Sequence, residues 1–248
     1  MKDNCIQKSS LIKIAPSILA GNFGYLADEA KRIEDAKADA IHIDIMDGHF
    51  VPNLTMGAQA VAAINRSTDI FLDVHLMVYN PYDYIEEFVK AGADAITFHF
   101  EATEDVEETL NYIRKCNVKA GLAFCPETSM TMVTKYLDKC DMILFMTVNP
   151  GFGGQAFMPD VLEKVRFTRD ICSKLDIRAG GIVSKVNSEG ENALPPLDIQ
   201  VDGGINDTNV KDCVEAGANV IVAGTSLFSQ PNLFDAVEKM RKAANSIT

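Results

Sequence analysis

Two histidines and two aspartates are spaced so that backbone alternation turns them the same way. In Ile41-His-Ile-Asp-Ile-Met46 the isoleucines share one face and His42, Asp44 and Met46 the other, because side chains two apart along a strand point to the same side. The same alternation in Ile70 to Met77 sets Phe71, Asp73, His75 and Met77 against Ile70, Leu72, Val74 and Leu76. Later in the chain Asp198, Gln200 and Asp202 oppose Ile199 and Val201, and near its start Ala15 and Ser17 oppose Ile12 and Ile14. With the apolar sets packed on helices, the polar sets point inward, where charge is costly unless paired, hydrogen-bonded or bound to a metal. His42, Asp44, His75 and Asp202 fall at the C-terminal ends of three such strands. Two imidazoles and two carboxylates make an N₂O₂ set suited to a divalent first-row metal with room for substrate oxygens. The plainer alternative is four hydrogen-bonded core residues.

Three glycine-rich turns follow later strands: Asn149-Pro-Gly-Phe-Gly-Gly-Gln155, Asp202-Gly-Gly204 and Ala223-Gly-Thr-Ser226. Bare backbone N–H groups cradle phosphate, and no lysine lies in these turns, so oriented amides rather than a basic patch would hold the anion. Glycine also serves tight turns that need a positive φ. Met46, Met77 and Met146 stand inward at comparable strand ends, either as core filler or as a polarizable lining that keeps water from a reactive carbanion. His49 and His99 have no comparable company and read as structural, His99 inward on the fourth strand. Gly151 to Ala156 fits a relaxed dinucleotide pattern, but it follows the sixth strand and Met158-Pro159 delays the next helix. The P-loop, zincin and nucleophile-elbow motifs do not occur.

The elements that position these residues alternate. Strand-like runs cover Leu11 to Ala15, Ala40 to Ile45, Ile70 to Met77, Ala95 to His99, Lys119 to Phe124, Met142 to Thr147, Asp198 to Val201 and Asn219 to Val222. Helix-like stretches between them include Tyr25 to Ala36, Tyr82 to Ala91, Val106 to Cys116, Asp160 to Leu175 and Asn209 to Ala216, the βαβα order of a parallel sheet. A weak repeat recurs where a helix gives way to a strand: Ala36-Lys-Ala-Asp-Ala-Ile41, Ala91-Gly-Ala-Asp-Ala-Ile96 and Ala216-Gly-Ala-Asn-Val-Ile221. Its spacing corresponds to units of about 27 to 31 residues, so eight fill the chain as one closed (βα)₈ TIM barrel, a single domain over 1–248. The active face would then be the C-terminal ends of the strands. Arg178 to Pro196, long, polar and rich in Gly and Pro, breaks the rhythm and reads as an insertion before the seventh strand.

The 248 residues are 47% hydrophobic and 23% charged, with 23 Lys plus Arg against 35 Asp plus Glu and a formal charge of −12. That excess repels polyphosphate and anionic membranes, so neither nucleic acid nor a membrane is an expected partner. No apolar run is long enough to span a bilayer and the first ten residues lack the apolar core of a signal peptide, which makes the cytoplasm the expected compartment. Six scattered cysteines without a C-x-x-C pair read as reduced, mostly buried thiols.

Ile14-Ala-Pro-Ser-Ile-Leu19, Ile41-His-Ile-Asp-Ile-Met-Asp-Gly-His-Phe-Val-Pro-Asn53, Leu72-Asp-Val-His-Leu-Met77, Met146-Thr-Val-Asn-Pro-Gly-Phe-Gly-Gly-Gln155 and Ile199-Gln-Val-Asp-Gly-Gly-Ile205 together resemble the ribulose-phosphate 3-epimerase family, in order from about Ile12 to Phe228. The resemblance implies a phosphate-binding (βα)₈ barrel that interconverts D-ribulose 5-phosphate and D-xylulose 5-phosphate in the pentose phosphate pathway. It implies that His42, Asp44, His75 and Asp202 bind one divalent metal ion and that Asp44 and Asp202 are the acid/base pair. Ser17 would contact the sugar and the carboxylates at the metal, His75 would face the substrate too, and Met46, Met77 and Met146 would line the reacting carbons. Gly151, Phe152, Gly153, Gly154, Gly203, Gly204, Gly224 and Thr225 would surround the phosphate. It further implies a homo-oligomer, dimer or hexamer. The chain departs from the family in having Gly224-Thr225 where Gly-Ser is common, and in the length of the insertion.

Inverting a carbon beside a ketone requires a proton to leave one face and another to arrive on the opposite face, so two carboxylates must flank it. A divalent cation stabilises the enediolate formed between the two transfers. Zn²⁺, Fe²⁺, Mn²⁺ and Co²⁺ all suit a His₂Asp₂ set. Other readings are an epimerase for a related ketose phosphate such as D-allulose 6-phosphate, a non-catalytic phosphosugar-binding barrel, and a dinucleotide-dependent oxidoreductase.

Overall fold

The computed structural model describes residues 12–175 and 197–246. The Arg178 to Pro196 insertion lies outside the described residues, as do Cys5 and Leu11. Eight parallel strands, β1 Lys13–Pro16, β2 Ala40–Met46, β3 Phe71–Met77, β4 Ala95–His99, β5 Lys119–Phe124, β6 Met142–Met146, β7 Asp198–Asp202 and β8 Val220–Ala223, form one sheet in the order β1-β8-β7-β6-β5-β4-β3-β2. The two terminal strands of that order meet through a parallel bridge between Ser17 and His42, which nearly closes a TIM barrel. Around it run α1 Leu26–Asp35, α2 Ala58–Ser67, α3 Ile85–Ala91, α4 Val106–Lys115, α5 Leu162–Lys174, α6 Val210–Glu215, α7 Thr225–Phe228 and α8 Leu233–Ala244.

The expected elements form because each satisfies period and termini together. In α4, Val106, Thr109, Leu110 and Ile113 are buried at helical spacing, while Glu107 and Glu108 stand in the first turn and Arg114 and Lys115 in the last, complementing the helix dipole. The connection after β5 is a 3₁₀ run, Met130–Tyr136, rather than an α-helix; its Thr, Val and Tyr residues are mediocre helix formers. β1 extends to Pro16, one residue beyond the expected end, since the ladder bond at that level is donated by the Ser17 N–H to Ala223 O at 3.0 Å. Among the described residues no helix is long and apolar enough to cross a membrane. The five described cysteines are free thiols, and Cys140, Cys172 and Cys213 are buried.

The repeat seen in the sequence is a pin at the N-terminal end of the barrel. Asp39, just before β2, accepts the Ile14 N–H of β1 on Oδ2 at 2.8 Å and donates its own N–H to Ile14 O at 2.9 Å. Asp94, before β4, does the same with Leu72 of β3 at 2.9 and 3.0 Å. Asn219, before β8, does so with Ile199 of β7 at 2.7 and 2.9 Å. Asp141, before β6, adds the same pair of bonds to Ala120 of β5 at 2.9 and 2.7 Å, although its flanking sequence hides the likeness. Each odd strand is thereby locked in register with the even strand that follows it. Gly92 and Gly217 of the repeats are left-handed helix caps at φ +101° and +112°, and Lys37 takes the same conformation at φ +60°.

Removing one pin leaves a strand N–H without its acceptor. Asp94→Ala is expected to lower the free energy of unfolding by about 1–3 kcal/mol, the usual cost of orphaning such a group. Asp94→Asn, which copies the residue at 219, should retain most of it. Denaturant titration of the two variants checks this, and equal losses in both would contradict the pin.

Candidate functional site

The polar stripes meet inside the C-terminal half of the barrel. Strand register sets His42 beside Asp73, Asp44 beside His75 and Met46 beside Met77, while Met146 of β6 pairs with Asp202 of β7. Ligating atoms of His42, Asp44, His75 and Asp202 all lie within 4.8 Å of one another, brought together from β2, β3 and β7. His42 and His75 are fully buried and Asp44 is 3% exposed.

Each member is held by a neighbour. Asp44 Oδ2 accepts the Ser17 hydroxyl at 2.6 Å, and Asp44 Oδ1 lies 3.2 Å from both His42 Nε2 and His75 Nδ1. His42 Nδ1 meets Asp73 Oδ2 at 2.8 Å, and the same oxygen accepts the Gln200 amide at 2.6 Å. An outer carboxylate of this kind fixes which imidazole nitrogen faces the site. His42 Nε2 is buried with no hydrogen-bond partner, although Asp44 Oδ1 is near and Asp202 Oδ2 lies at 3.9 Å. A buried nitrogen aimed between two carboxylate oxygens and left unpaired suits a cation, so the donor set fits a divalent metal.

The electrostatics point the same way. Burial alone would lower the pKa of His42, but Asp44 and Asp73 outweigh it and hold it well above the ordinary value. Burial works against the charged form of Asp44 as well, yet the charge of His42 and the adjoining His75 imidazole pull its pKa below the usual carboxylate range. Asp202 goes the other way, pushed up to about 7 by burial and by the charge of Asp44. Without a cation the two carboxylates therefore differ in proton affinity, the arrangement that separates an acid from a base.

Above the cluster opens a cavity of about 400 Å³. Ser17, Asp44 and Asp202 line it together with Met46, Met77 and Met146. Its rim is made by Gly151, Phe152, Gly153, Gly154, Gly203, Gly204, Gly224 and Thr225, so all three glycine turns reach one mouth. Among the described residues no lysine or arginine lines it. His42 and His75 lie beneath and do not line it, so His75 reaches a ligand there only through the cluster. Gly151, Gly154, Gly203 and Gly204 all have positive φ, so the turns themselves demand glycine at those positions. At Gly203, with φ +123°, an added Cβ would lie 2.4 Å from Val148 Cγ2 and 2.9 Å from its backbone nitrogen. Gly153 has neither a positive φ nor an atom within 4 Å of such a Cβ.

One expectation needs correction. His99 is not without company: its Nε2 lies 3.0 Å from His75 Nε2, and its Nδ1 lies 3.2 Å from Glu101 Oε2 and 3.4 Å from Cys125 Sγ. Spacing on β4 placed it inward but could not show that the neighbouring strand aims a histidine at it. Asp73 and Gln200 were legible as inward residues, but their bond to each other across the barrel was not. Asn53 of the loop after β2 also lines the cavity, its amide donating to Gly151 O at 2.7 Å; it closes the Ile41 to Asn53 motif, but the sequence assigned it no role.

Residues 13–228 match the model of the ribulose-phosphate 3 epimerase family. A ribulose-phosphate 3-epimerase of Chlamydia muridarum is 47% identical over 226 residues, covering 91% of this chain and 92% of that protein. One from Bacillus subtilis is 41% identical over 231 residues, covering 93% and 99%. Among solved structures, KGPDC from Streptococcus mutans superposes with a TM-score of 0.68 at 13% identity over 96% of this chain and 99% of its own. A 3-hexulose-6-phosphate synthase does so at 0.63 and 14% identity, over 94% and 99%. At such identities the two structures speak for the fold alone.

Gly203→Ala is expected to destabilise the chain by at least about 1–3 kcal/mol, the range for a strained backbone conformation, with the clash against Val148 added. Gly153→Ala should stay within about 0.5 kcal/mol of the parent. Parallel thermal and denaturant unfolding reads the contrast, and similar losses at both positions would contradict the geometry.

Proposed function

The chain belongs to the ribulose-phosphate 3-epimerase family, and from that premise we propose that it interconverts D-ribulose 5-phosphate and D-xylulose 5-phosphate by two-carboxylate proton transfer. The observation that carries the reading is the pair Asp44 and Asp202, reaching one cavity floor from different strands beside two buried imidazoles. Family membership and the names of relatives support the epimerase reaction; the assignment of roles to residues is ours.

His42 Nε2, His75 Nδ1 and one oxygen each of Asp44 and Asp202 would hold a divalent cation, with Zn²⁺, Fe²⁺, Mn²⁺ and Co²⁺ all chemically suited. Bound there, the cation supplies Lewis-acid stabilisation of the charge that develops on the substrate oxygens. The protein's own groups move the protons. Asp44, held by the Ser17 hydroxyl at the cavity floor, suits the base that removes the proton from the carbon beside the ketone. Asp202, reaching the cavity from β7, suits the acid that returns one on the other face, and the roles exchange in the reverse direction. The Ser17 hydroxyl fixes the Asp44 carboxylate through Oδ2. Met46, Met77 and Met146 exclude water beside the reacting carbons without adding polar groups that could quench the carbanion.

The phosphate would sit against the backbone of Gly151 to Gly154, Gly203, Gly204, Gly224 and Thr225. Among the described residues no cationic side chain lines this cavity, so backbone N–H groups, with neutral side chains such as Thr225 beside them, are what would hold the phosphate.

Asp44→Asn and Asp202→Asn are each expected to cut turnover by at least about 10²-fold while the fold persists, the lower end for general acid/base catalysis. In the unmodified protein, deuterium from solvent should appear at the epimerised carbon. Chelation should abolish the activity, and one of the four metals should restore it. Near-normal rates in both variants would refute the carboxylate assignment. Faster turnover of a six-carbon ketose phosphate than of the pentulose would move the substrate to D-allulose 6-phosphate.

A further inference from the structure

A line of three contacts runs from the cluster out to β4. Asp44 Oδ1 meets His75 Nδ1 at 3.2 Å, His75 Nε2 meets His99 Nε2 at 3.0 Å, and His99 Nδ1 meets Glu101 Oε2 at 3.2 Å. Each contact needs one proton, but two neutral imidazoles carry only two. One contact must go without. It is not the middle one, where two nitrogen lone pairs would face each other at 3.0 Å. The shortfall therefore lies at one carboxylate or the other.

The surroundings decide which. Glu101 Oε1 already accepts the Cys125 N–H at 2.9 Å and the Thr128 hydroxyl, and Oε2 is turned to His99. Asp44 has the Ser17 hydroxyl on Oδ2, and its Oδ1 is shared by His42 and His75, the place where a divalent cation would substitute for a proton. We propose that Glu101, acting through His99, is a positioning residue: it claims the His99 Nδ1 proton, makes His99 Nε2 an acceptor, and so fixes His75 with Nε2–H outward and its Nδ1 lone pair toward the cation site. This deepens the metal-dependent reading above and rests on it.

His99, Glu101 and Cys125 also lie close enough together to suggest a second cation site. The same proton count opposes it. A cation on His99 Nδ1 would move that proton to Nε2, reverse the bond to His75 and turn a His75 Nδ1–H toward the first site, so the two sites exclude each other. The Lys164 ammonium, bound to the Cys125 carbonyl at 3.3 Å, adds positive charge beside it.

Glu101→Gln reverses the polarity while keeping the shape. The Cys125 N–H and Thr128 hydroxyl require an oxygen at the Oε1 position, which leaves the new NH₂ facing His99 Nδ1. The Zn²⁺ affinity of the full-length variant, measured by competition with a chromophoric chelator, is expected to fall by about 10- to 100-fold, as for outer partners of metal-bound histidines. The melting temperature of the metal-free chain should change little, whereas a merely structural role would lower it and leave Zn²⁺ affinity alone. Histidine ¹⁵N spectra of the unmodified protein should show His99 protonated at Nδ1, with or without Zn²⁺, and at Nε2 in Glu101→Gln. Unaltered Zn²⁺ affinity in the variant, His99 protonated at Nε2 in the parent, or a second Zn²⁺ equivalent lost in Cys125→Ser would each overturn the proposal. If the parent binds no divalent cation at all, the metal reading fails, and the His99 proton position still decides the relay.

Discussion

Charge placed inside a barrel of parallel strands has to be matched there, because little water reaches side chains buried between the strands. His42, Asp44, His75 and Asp73 are all at most 3% exposed, and an unmatched carboxylate at that depth would cost several kcal/mol. Each is matched by a side chain from another strand: Ser17 beyond β1 for Asp44, Asp73 of β3 for His42, Gln200 of β7 for Asp73, and His99 of β4 for His75. The one buried site nitrogen left over, His42 Nε2, points between two carboxylates. Asp73 Oδ1 and Gln200 Oε1 are also buried without a partner, but only the His42 nitrogen is flanked by the two carboxylates of the cluster, and that is where a cation would fit.

Such a network tolerates no slippage, since a one-residue shift of any strand would turn its polar set outward. The opposite end of the barrel meets this demand. Asp39, Asp94, Asp141 and Asn219 hold four strand pairs in register by the same two bonds, and Arg241 of α8 secures Asp39 at 2.7 Å. Stability is concentrated at one end of the strands and reactivity at the other. At the reactive end, glycines open the mouth of the cavity, while Asn53 ties the loop after β2 to the one after β6.

Much of this was legible along the chain. Period-two alternation in Ile41 to Met46 and Phe71 to Met77 marked which side chains face inward, and the strand bounds expected for β4 and β5 coincide with those observed. The Ala-Asp-Ala and Ala-Asn-Val repeats were visible, but their work was not: that Asp94 caps Leu72 depends on two strands lying side by side 22 residues apart. Asp141 performs the same task in a sequence, Lys-Cys-Asp-Met, that bears no likeness to the repeat. His99 was misjudged for the same reason, because its significance lies in a contact to a residue 24 positions away.

The sequence by itself determined the alternating elements, the identity of the inward polar residues and the glycine turns, since each follows from local periodicity and backbone freedom. Only the tertiary structure decided which polar atoms meet: Asp73 with Gln200, His75 with His99, and three glycine loops around one cavity. Hydrogen-bond partners across a closed barrel are set by strand order and register, and these become fixed only when all eight strands share one interior.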